Sequence, residues 1–331
     1  MYRLHCLPLA LTALIAGCAS TNLNDTLPSL TLADVLPSVT ENEYCKQEMD
    51  SDILYGVGMT LFNNDDYANA KSCLVYAAPE HTRSFCYLSL IADQDEEKTQ
   101  PERERESFNY VAYAASQNDW CAEYGMYRIY NGGNKGQERD EALATRWLER
   151  SALHGYGESQ QSLAYRYKSN EDLVASYAWF RILGEGNDNG QLDVLRKQMS
   201  AKQLAEGDKR YEALAARVTS KEAMRAEARE EDIGRYSATI YLNVPQVLEG
   251  MNTEQRREFI KQTLAVALDN EQIETRGQVT LYMTMTRSAQ LKGATSDVLD
   301  NPQLLAILQD EELSLSEAQA QAQGVIDAAY P

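Results

Sequence analysis

The chain is poor in the groups that chemistry on a substrate requires. Only three of its 331 residues are histidine, and His5 lies in the first seventeen, leaving His81 and His154. Gly-x-Ser-x-Gly, His-Glu-x-x-His and Ser-x-x-Lys are all missing, which excludes the usual nucleophile elbow, zinc-hydrolase helix and serine–lysine pair. No Cys-x-x-Cys and no paired histidines are present, so a structural zinc site is not expected. Gly132-Gly133-Asn134-Lys135-Gly136 lacks the spacing of a phosphate loop and the Ser or Thr after its lysine, and it reads as a turn between helices. His81 and His154 fall in turns and read as surface residues. The sequence therefore offers no catalytic residues, no metal ligands and no soluble cofactor site. What it has in excess is negative charge: 50 acidic against 31 basic residues, a net charge of −19. Such a surface disfavours nucleic acid and anionic head groups and favours basic partners.

After the first seventeen residues no segment is apolar and long enough to cross a bilayer. Those seventeen place one early positive charge (Arg3) before an apolar run from Leu7 to Ile15, and Ala16-Gly17-Cys18 follows. A charged start, a short apolar core and small residues are the plan of a cleavable signal peptide. The cysteine directly after the small pair resembles the lipobox of bacterial lipoproteins. That resemblance implies a diacylglycerol on the Cys18 thiol, an N-acyl chain on its freed amine, and an outer-membrane anchor facing the periplasm. Cleavage would remove Arg3 and no acid, leaving 30 basic and 50 acidic residues and a net charge of −20. Cys45, Cys73, Cys86 and Cys121 then remain in an oxidising compartment, an even number that suggests two disulfides in one of three connectivities.

Residues 18–43, with Pro28 and Pro37 and no helical period, read as a flexible tether whose root-mean-square reach is roughly 25–30 Å. Beyond Asp52 the chain repeats. Steps of 37 residues back from Trp147 reach Tyr110 and Cys73; small residues precede each by three (Ala144, Ser107, Ala70) and follow by five (Ala152, Ala115, Ala78). A fourth, shorter copy has Ser176, Trp179 and Gly184. Small, large and small at fixed offsets is what stacked helical hairpins need, because small residues let backbones approach and the ring fills the gap. The hairpins read as Ile53–Phe62 with Asp66–Ala78, Thr82–Ala92 with Glu102–Ser116, Asp119–Tyr130 with Asp140–His154, and Gly157–Lys168 with Asn170–Leu183.

Tyr130-Asn131-Gly132, Arg139-Asp140-Glu141-Ala142, Trp147, Ser151-Ala152 and Gly155 resemble a Sel-one-like repeat, a cousin of the tetratricopeptide repeat. The first unit, with Gly58, Tyr67, Ala70 and Ala77, is nearer the tetratricopeptide pattern, and Ser176 to Met199-Ser200 resembles the last repeat of bacterial members. The resemblance covers about residues 50–210 and implies an α-solenoid that scaffolds protein–protein contacts. In cysteine-rich members disulfides staple adjacent helices; with that register Cys86 would join Cys121 and Cys45 would join Cys73. First helices of such solenoids line a concave groove, so Tyr55, Tyr87, Tyr124, Tyr127, Tyr130, Tyr165 and Tyr167 are candidates to hold a protein or peptide, about half of them as packing residues.

Repeats are therefore expected over 44–187 and capping helices over 188–232, including Gln191–Met199 and a long charged helix Ala201–Glu230. In 233–331 two runs alternate, Tyr236–Val244 (Ala238, Ile240, Leu242, Val244 on one face) and Val279–Thr286 (Val279, Leu281, Met283, Met285), around an amphipathic Thr253–Leu268. Alternation of this kind reads as strands, which predicts a small α/β or α+β domain with terminal helices Pro302–Leu308 and Ser314–Ala329. The expectation is a mainly α, tetratricopeptide-type solenoid with that appended domain. It would be an envelope adaptor anchored by lipid, without catalysis. A wall-associated factor binding peptidoglycan or its enzymes through residues 233–331 is the alternative; a hydrolase would need His81 or His154 beside a nucleophile.

Overall fold

The structure, a computed structural model, describes residues 22–184 and 187–330. The expected signal peptide and Cys18 lie outside the described residues.

The chain starts with a strap. A 3-10 turn at Leu23–Thr26 leads to α1 (Leu32–Val35). Val35 is buried, and Leu23, Leu27, Leu30, Leu36 and Val39 pack on the hairpin core. Residues 22–43 are thus laid down on the fold, in contrast to the free tether expected of them. Leucines recurring every two to four residues, from Leu23 to Leu36, dock the strap despite its prolines.

Four antiparallel hairpins follow: α2 (Ser51–Asn63) with α3 (Tyr67–Ala77), α4 (Ser84–Asp93) with α5 (Gln100–Ser116), α6 (Trp120–Gly132) with α7 (Glu141–Leu153), and α8 (Gly157–Ser169) with α9 (Leu173–Leu183). Each pair packs internally and on the next. Asp50, Asp66, Asp119, Asp140 and Asp172 accept backbone N–H groups at the starts of five of these helices, satisfying donors the helix cannot. Gly133, at φ 64°, ends α6 in a left-handed conformation that costs a glycine nothing. The repeating positions sit inside: Ala144, Trp147 and Ala152 are fully buried, and Trp179 nearly so.

Beyond the hairpins come α10 (Gln191–Gln198), α11 (Ala201–Ala215) and α12 (Lys221–Asn243). Helix α11 packs on α9 and covers the end of the stack. The long helix expected over 201–230 is broken at residues 216–220, and its second half continues past the expected boundary at 232.

Residues 233–330 hold no strand among the described residues, so the α/β domain is corrected to an all-helical unit: the end of α12, α13 (Thr253–Asp269), α14 (Arg276–Leu291), α15 (Pro302–Leu308) and α16 (Leu315–Ala329). The supposed strand Tyr236–Val244 is the last stretch of α12. Its buried residues are Ile233, Gly234, Tyr236, Ser237, Ala238 and Ile240, a helical spacing, while Leu242 is exposed. The supposed strand Val279–Thr286 lies in α14, where every residue from Val279 to Met285 is buried. Two-fold alternation meant nothing there, because no face is solvated. The threonines enter this core by bonding their own helix: Thr280 Oγ1 donates to the Arg276 carbonyl (3.0 Å) and Thr284 Oγ1 to that of Leu281 (2.9 Å).

Candidate functional site

The hairpins turn from second helix to first helix along one edge, and α12 runs over that edge from the fourth hairpin back to the first. It is launched where the Thr219 N–H donates to the Leu153 carbonyl (2.8 Å). Met224 fills the space over Gly155, where a Cβ would stand 2.7 Å from the Met224 sulfur. Glu227 accepts from Trp120 Nε1 (2.6 Å) and Arg83 Nη2 (3.0 Å), and Glu231 accepts from Arg83 Nη1 (2.6 Å). Arg83 also donates through Nε to Asp119 (2.6 Å), and its guanidinium carbon lies over Trp120, 3.8 Å from the ring centroid. Burial disfavours its charge, yet Asp119 and Glu231 push the Arg83 pKa above its usual value. Burial raises the pKa of Glu231, more than Arg83 lowers it. At the first hairpin α12 presses backbone to backbone: a Cβ on Gly56 would meet the Gly234 carbonyl oxygen at 2.2 Å. Gly56 permits that approach, and a Cβ on Gly234 would stand 3.2 Å from the Asp52 carbonyl oxygen.

Beside this crossing, α2 and α13 are joined by a buried ion network. Asp52, 2% exposed, accepts from Arg256 Nη2 (2.7 Å), Arg257 Nη1 (2.7 Å) and His81 Nε2 (3.1 Å). Asp50 accepts from Arg256 as well (2.7 Å). Burial works to raise the Asp52 pKa, but the His81 hydrogen bond and the two guanidinium groups hold it well below the ordinary carboxylate range. Asp50 is lowered likewise, Arg256 and Thr253 outweighing burial. His81 in turn stacks on Tyr55, 4.8 Å between centroids. His154 has the matching role two hairpins on: its Nδ1 lies 2.7 Å from fully buried Glu123, which also takes Arg150 Nε at 2.6 Å. Both histidines lie in turns as expected, 21% and 36% exposed, and each sits against a buried acid. No nucleophilic side chain is among these hydrogen-bond and ion-pair partners of either.

The seven tyrosines differ in exposure, two of them buried, four half-buried and one exposed. Tyr55 is 1% exposed, edge-on to half-buried Tyr87. Tyr124 packs on Tyr127 and Tyr156. Tyr130 is buried, Tyr165 is exposed and edge-on to Phe180, and Tyr167 donates to Glu149 (2.9 Å). Burial and that carboxylate push the Tyr167 pKa up to about 12.

Of the two disulfides expected, Cys45–Cys73 is present, tying the strap to α3. The other is corrected: Cys86 and Cys121 are free thiols. They are nevertheless brought together with Asp119, all three ligand atoms lying within 4.8 Å of one another. The Cys86 thiol is directed at Asp119 Oδ1 (3.6 Å), and burial pushes its pKa well up. A protonated thiol and a carboxylate already holding Arg83 and capping α6 make a poor cation site.

One open cleft lies in the C-terminal unit, besides one of about 720 Å³ between the strap and the first hairpin and one of about 540 Å³ beside Gly155. A cleft of about 530 Å³ separates the end of α12 and its following 3-10 turn from α14 and α16. Val247, Met285, Leu291 and Ile326 supply its apolar wall, Gln319 and Gln323 part of its rim, and no aromatic ring lines it. Its one charged group, Lys292, pairs with Asp327 at 3.1 Å.

The residues that sequence reasoning missed are Arg83, Asp52, Arg256 and Arg257. One signal was available for the last two. Paired arginines near the start of a helix oppose its dipole, so they call for an acidic partner from elsewhere.

No protein-family model matches the chain, and no curated protein or solved structure shows significant similarity to it.

Proposed function

We propose that the chain is a bacterial envelope lipoprotein, anchored through acylated Cys18, that serves as a non-catalytic adaptor for a protein or peptide partner. The resemblance of residues 50–210 to Sel-one-like repeats carries the scaffold part of this reading. The cleft in the C-terminal unit carries the binding part: it is concave, apolar at its wall and amide-rich at its rim, the composition of a site for a peptide segment. The tyrosine-bearing hairpin edge is a weaker candidate for the partner, since α12 lies across it and Tyr55 is buried beneath. Absence of aromatic rings from the cleft disfavours the wall-associated alternative, because sugars are commonly held by ring stacking. The titratable groups that the fold collects are engaged with each other, which supports the non-catalytic reading.

Crosslinking in intact cells followed by purification and mass spectrometry tests this. Ala320→Trp would fill the cleft from an exposed position; loss of a defined envelope partner in that variant is the expected result. Unchanged partner recovery, or recovery of peptidoglycan fragments instead, would overturn the cleft assignment. Cys18→Ser should release the protein from membranes, and continued retention would refute the lipid anchor.

A further inference from the structure

We propose that the lipid anchor holds the third hairpin directly against the bilayer, so that the protein has a fixed membrane-facing side. This rests on the lipoprotein reading and concerns the leash. Were residues 18–43 free, the body could stand roughly 25–30 Å off the membrane and tumble. The strap removes that freedom. Asn24 Oδ1 accepts from Arg150 Nη1 of α7 at 2.6 Å, and α1 lies on α5. Further along, the Val39 carbonyl accepts from Tyr76 (3.3 Å), Asn42 Nδ2 donates to the Asn69 carbonyl (3.2 Å), and Cys45 is bonded to Cys73 on α3. The segment is thus pinned along the second helices from the third hairpin back to the first. Four residue steps separate Cys18 from Asn22, and even a fully extended chain covers at most about 14 Å in that number.

The point of entry is also defined. Arg150 donates to Asn118 Oδ1 (2.5 Å) as well as to Asn24, so the turn between α5 and α6 shares its guanidinium with the start of the strap. Exposed Gln117 sits in that turn. The C-terminal unit attaches at the first hairpin, through Gly56–Gly234 and the Asp52 network. That is two hairpins away, about 20 Å along a stack of helices spaced 8–10 Å apart. The anchor therefore holds exposed Gln117, at the side of the α12 crossing over Trp120, nearest the lipid and leaves the cleft beyond it. The net charge of −20 in the mature chain gives this body no electrostatic attraction of its own to an anionic bilayer. The short leash supplies the proximity.

The full-length acylated protein, reconstituted in vesicles of phosphatidylethanolamine and phosphatidylglycerol, tests this with a photo-crosslinking amino acid at Gln117 or at exposed Gln272 of the C-terminal unit. Lipid adducts should be several-fold more abundant from position 117. A Gly/Ser insertion of about twenty residues after Thr21, with a reach of about 25 Å, should abolish that excess while leaving the protein membrane-bound. Equal adduct yields without the insertion, or an excess at 117 that survives it, would overturn the proposal. Absence of acyl mass on the Cys18 peptide would instead remove the lipoprotein reading itself, and this proposal with it.

Discussion

The hairpin stack and the C-terminal unit are both all-helical among the described residues, yet α7 of the one and α14 of the other are packed in opposite ways. In the stack α9, at its end, is buried continuously from Ala175 to Phe180, whereas α7 buries one stripe against its neighbours. Ala144, Trp147, Leu148, Ser151 and Ala152 of α7 are buried, while Glu141 and Ala142 stay exposed. In the C-terminal unit α14 is a central helix surrounded by α12, α13, α15 and α16, buried continuously from Val279 to Met285. A helix with one buried stripe shows its period in the sequence, whereas one wrapped on all sides shows only composition. Substitutions that probe each plan and the joint between them can break this comparison.

The largest effects are expected at the two cores. Trp147→Ala should cost about 3–5 kcal/mol and Met283→Ala about 2–5 kcal/mol, read by chemical denaturation. A near-neutral Trp147→Ala would undermine the hairpin packing. Because the backbones of α2 and α12 touch through Gly56 and Gly234, either change should shift one shared unfolding transition. Two separate transitions in the unaltered protein would show that the units are independent.

Arg256→Ala probes the joint. It leaves Asp50 and Asp52 facing each other with one strong partner fewer, and loss of one side of a buried ion pair costs about 3–5 kcal/mol. Arg257 and His81 remain on Asp52, so the lower end is expected. The informative outcome is a split of the single transition into two. Reduction of Cys45–Cys73, which closes a separation of 28 residues, should destabilise by about 3–4 kcal/mol in the loop-entropy account. It should act on the first hairpin and strap while sparing the C-terminal unit, which hydrogen exchange would resolve.

Acid gives the mildest test. Asp50 and Asp52 have folded pKa values below the 3.8 of a free side chain. Their contribution is therefore fully present above that value and fades as pH falls through the lower folded one. Protection of α2 and α13 amides should fall below about pH 4, before that of α7. Uniform loss across all three helices would contradict a special role for this network.

Helix positions in the stack were legible because local signals agreed there: an Asp at five helix starts, glycine at turns, and aromatic or sulfur side chains every 37 residues. The third first-helix, expected at Asp119–Tyr130, runs from Trp120 to Gly132. The docking of the strap is not legible in its composition, where Pro28 and Pro37 suggest a free segment and only the tertiary contacts show the leucines docked. In α14 threonine alternated with apolar residues and mimicked a strand, although Thr275 and Gln278 form a capping box at its start. Among the site residues, the tyrosines lay on the expected helices, but what covers Tyr55 comes from a helix nearly 180 residues later.

The sequence by itself determined the helical hairpins, the excess of acidic residues and the lack of a recognisable catalytic motif, because each is written in neighbouring residues or in composition. Only the tertiary structure decided that α12 lies over the hairpin edge, that Arg83 ties Asp119 to Glu227 and Glu231, that Asp52 takes both arginines of α13, and that the strap docks on the second helices. Those are pairings between residues 36 to 205 positions apart or docking on a distant surface. They depend on how rigid helices stack, which leaves no period in the chain.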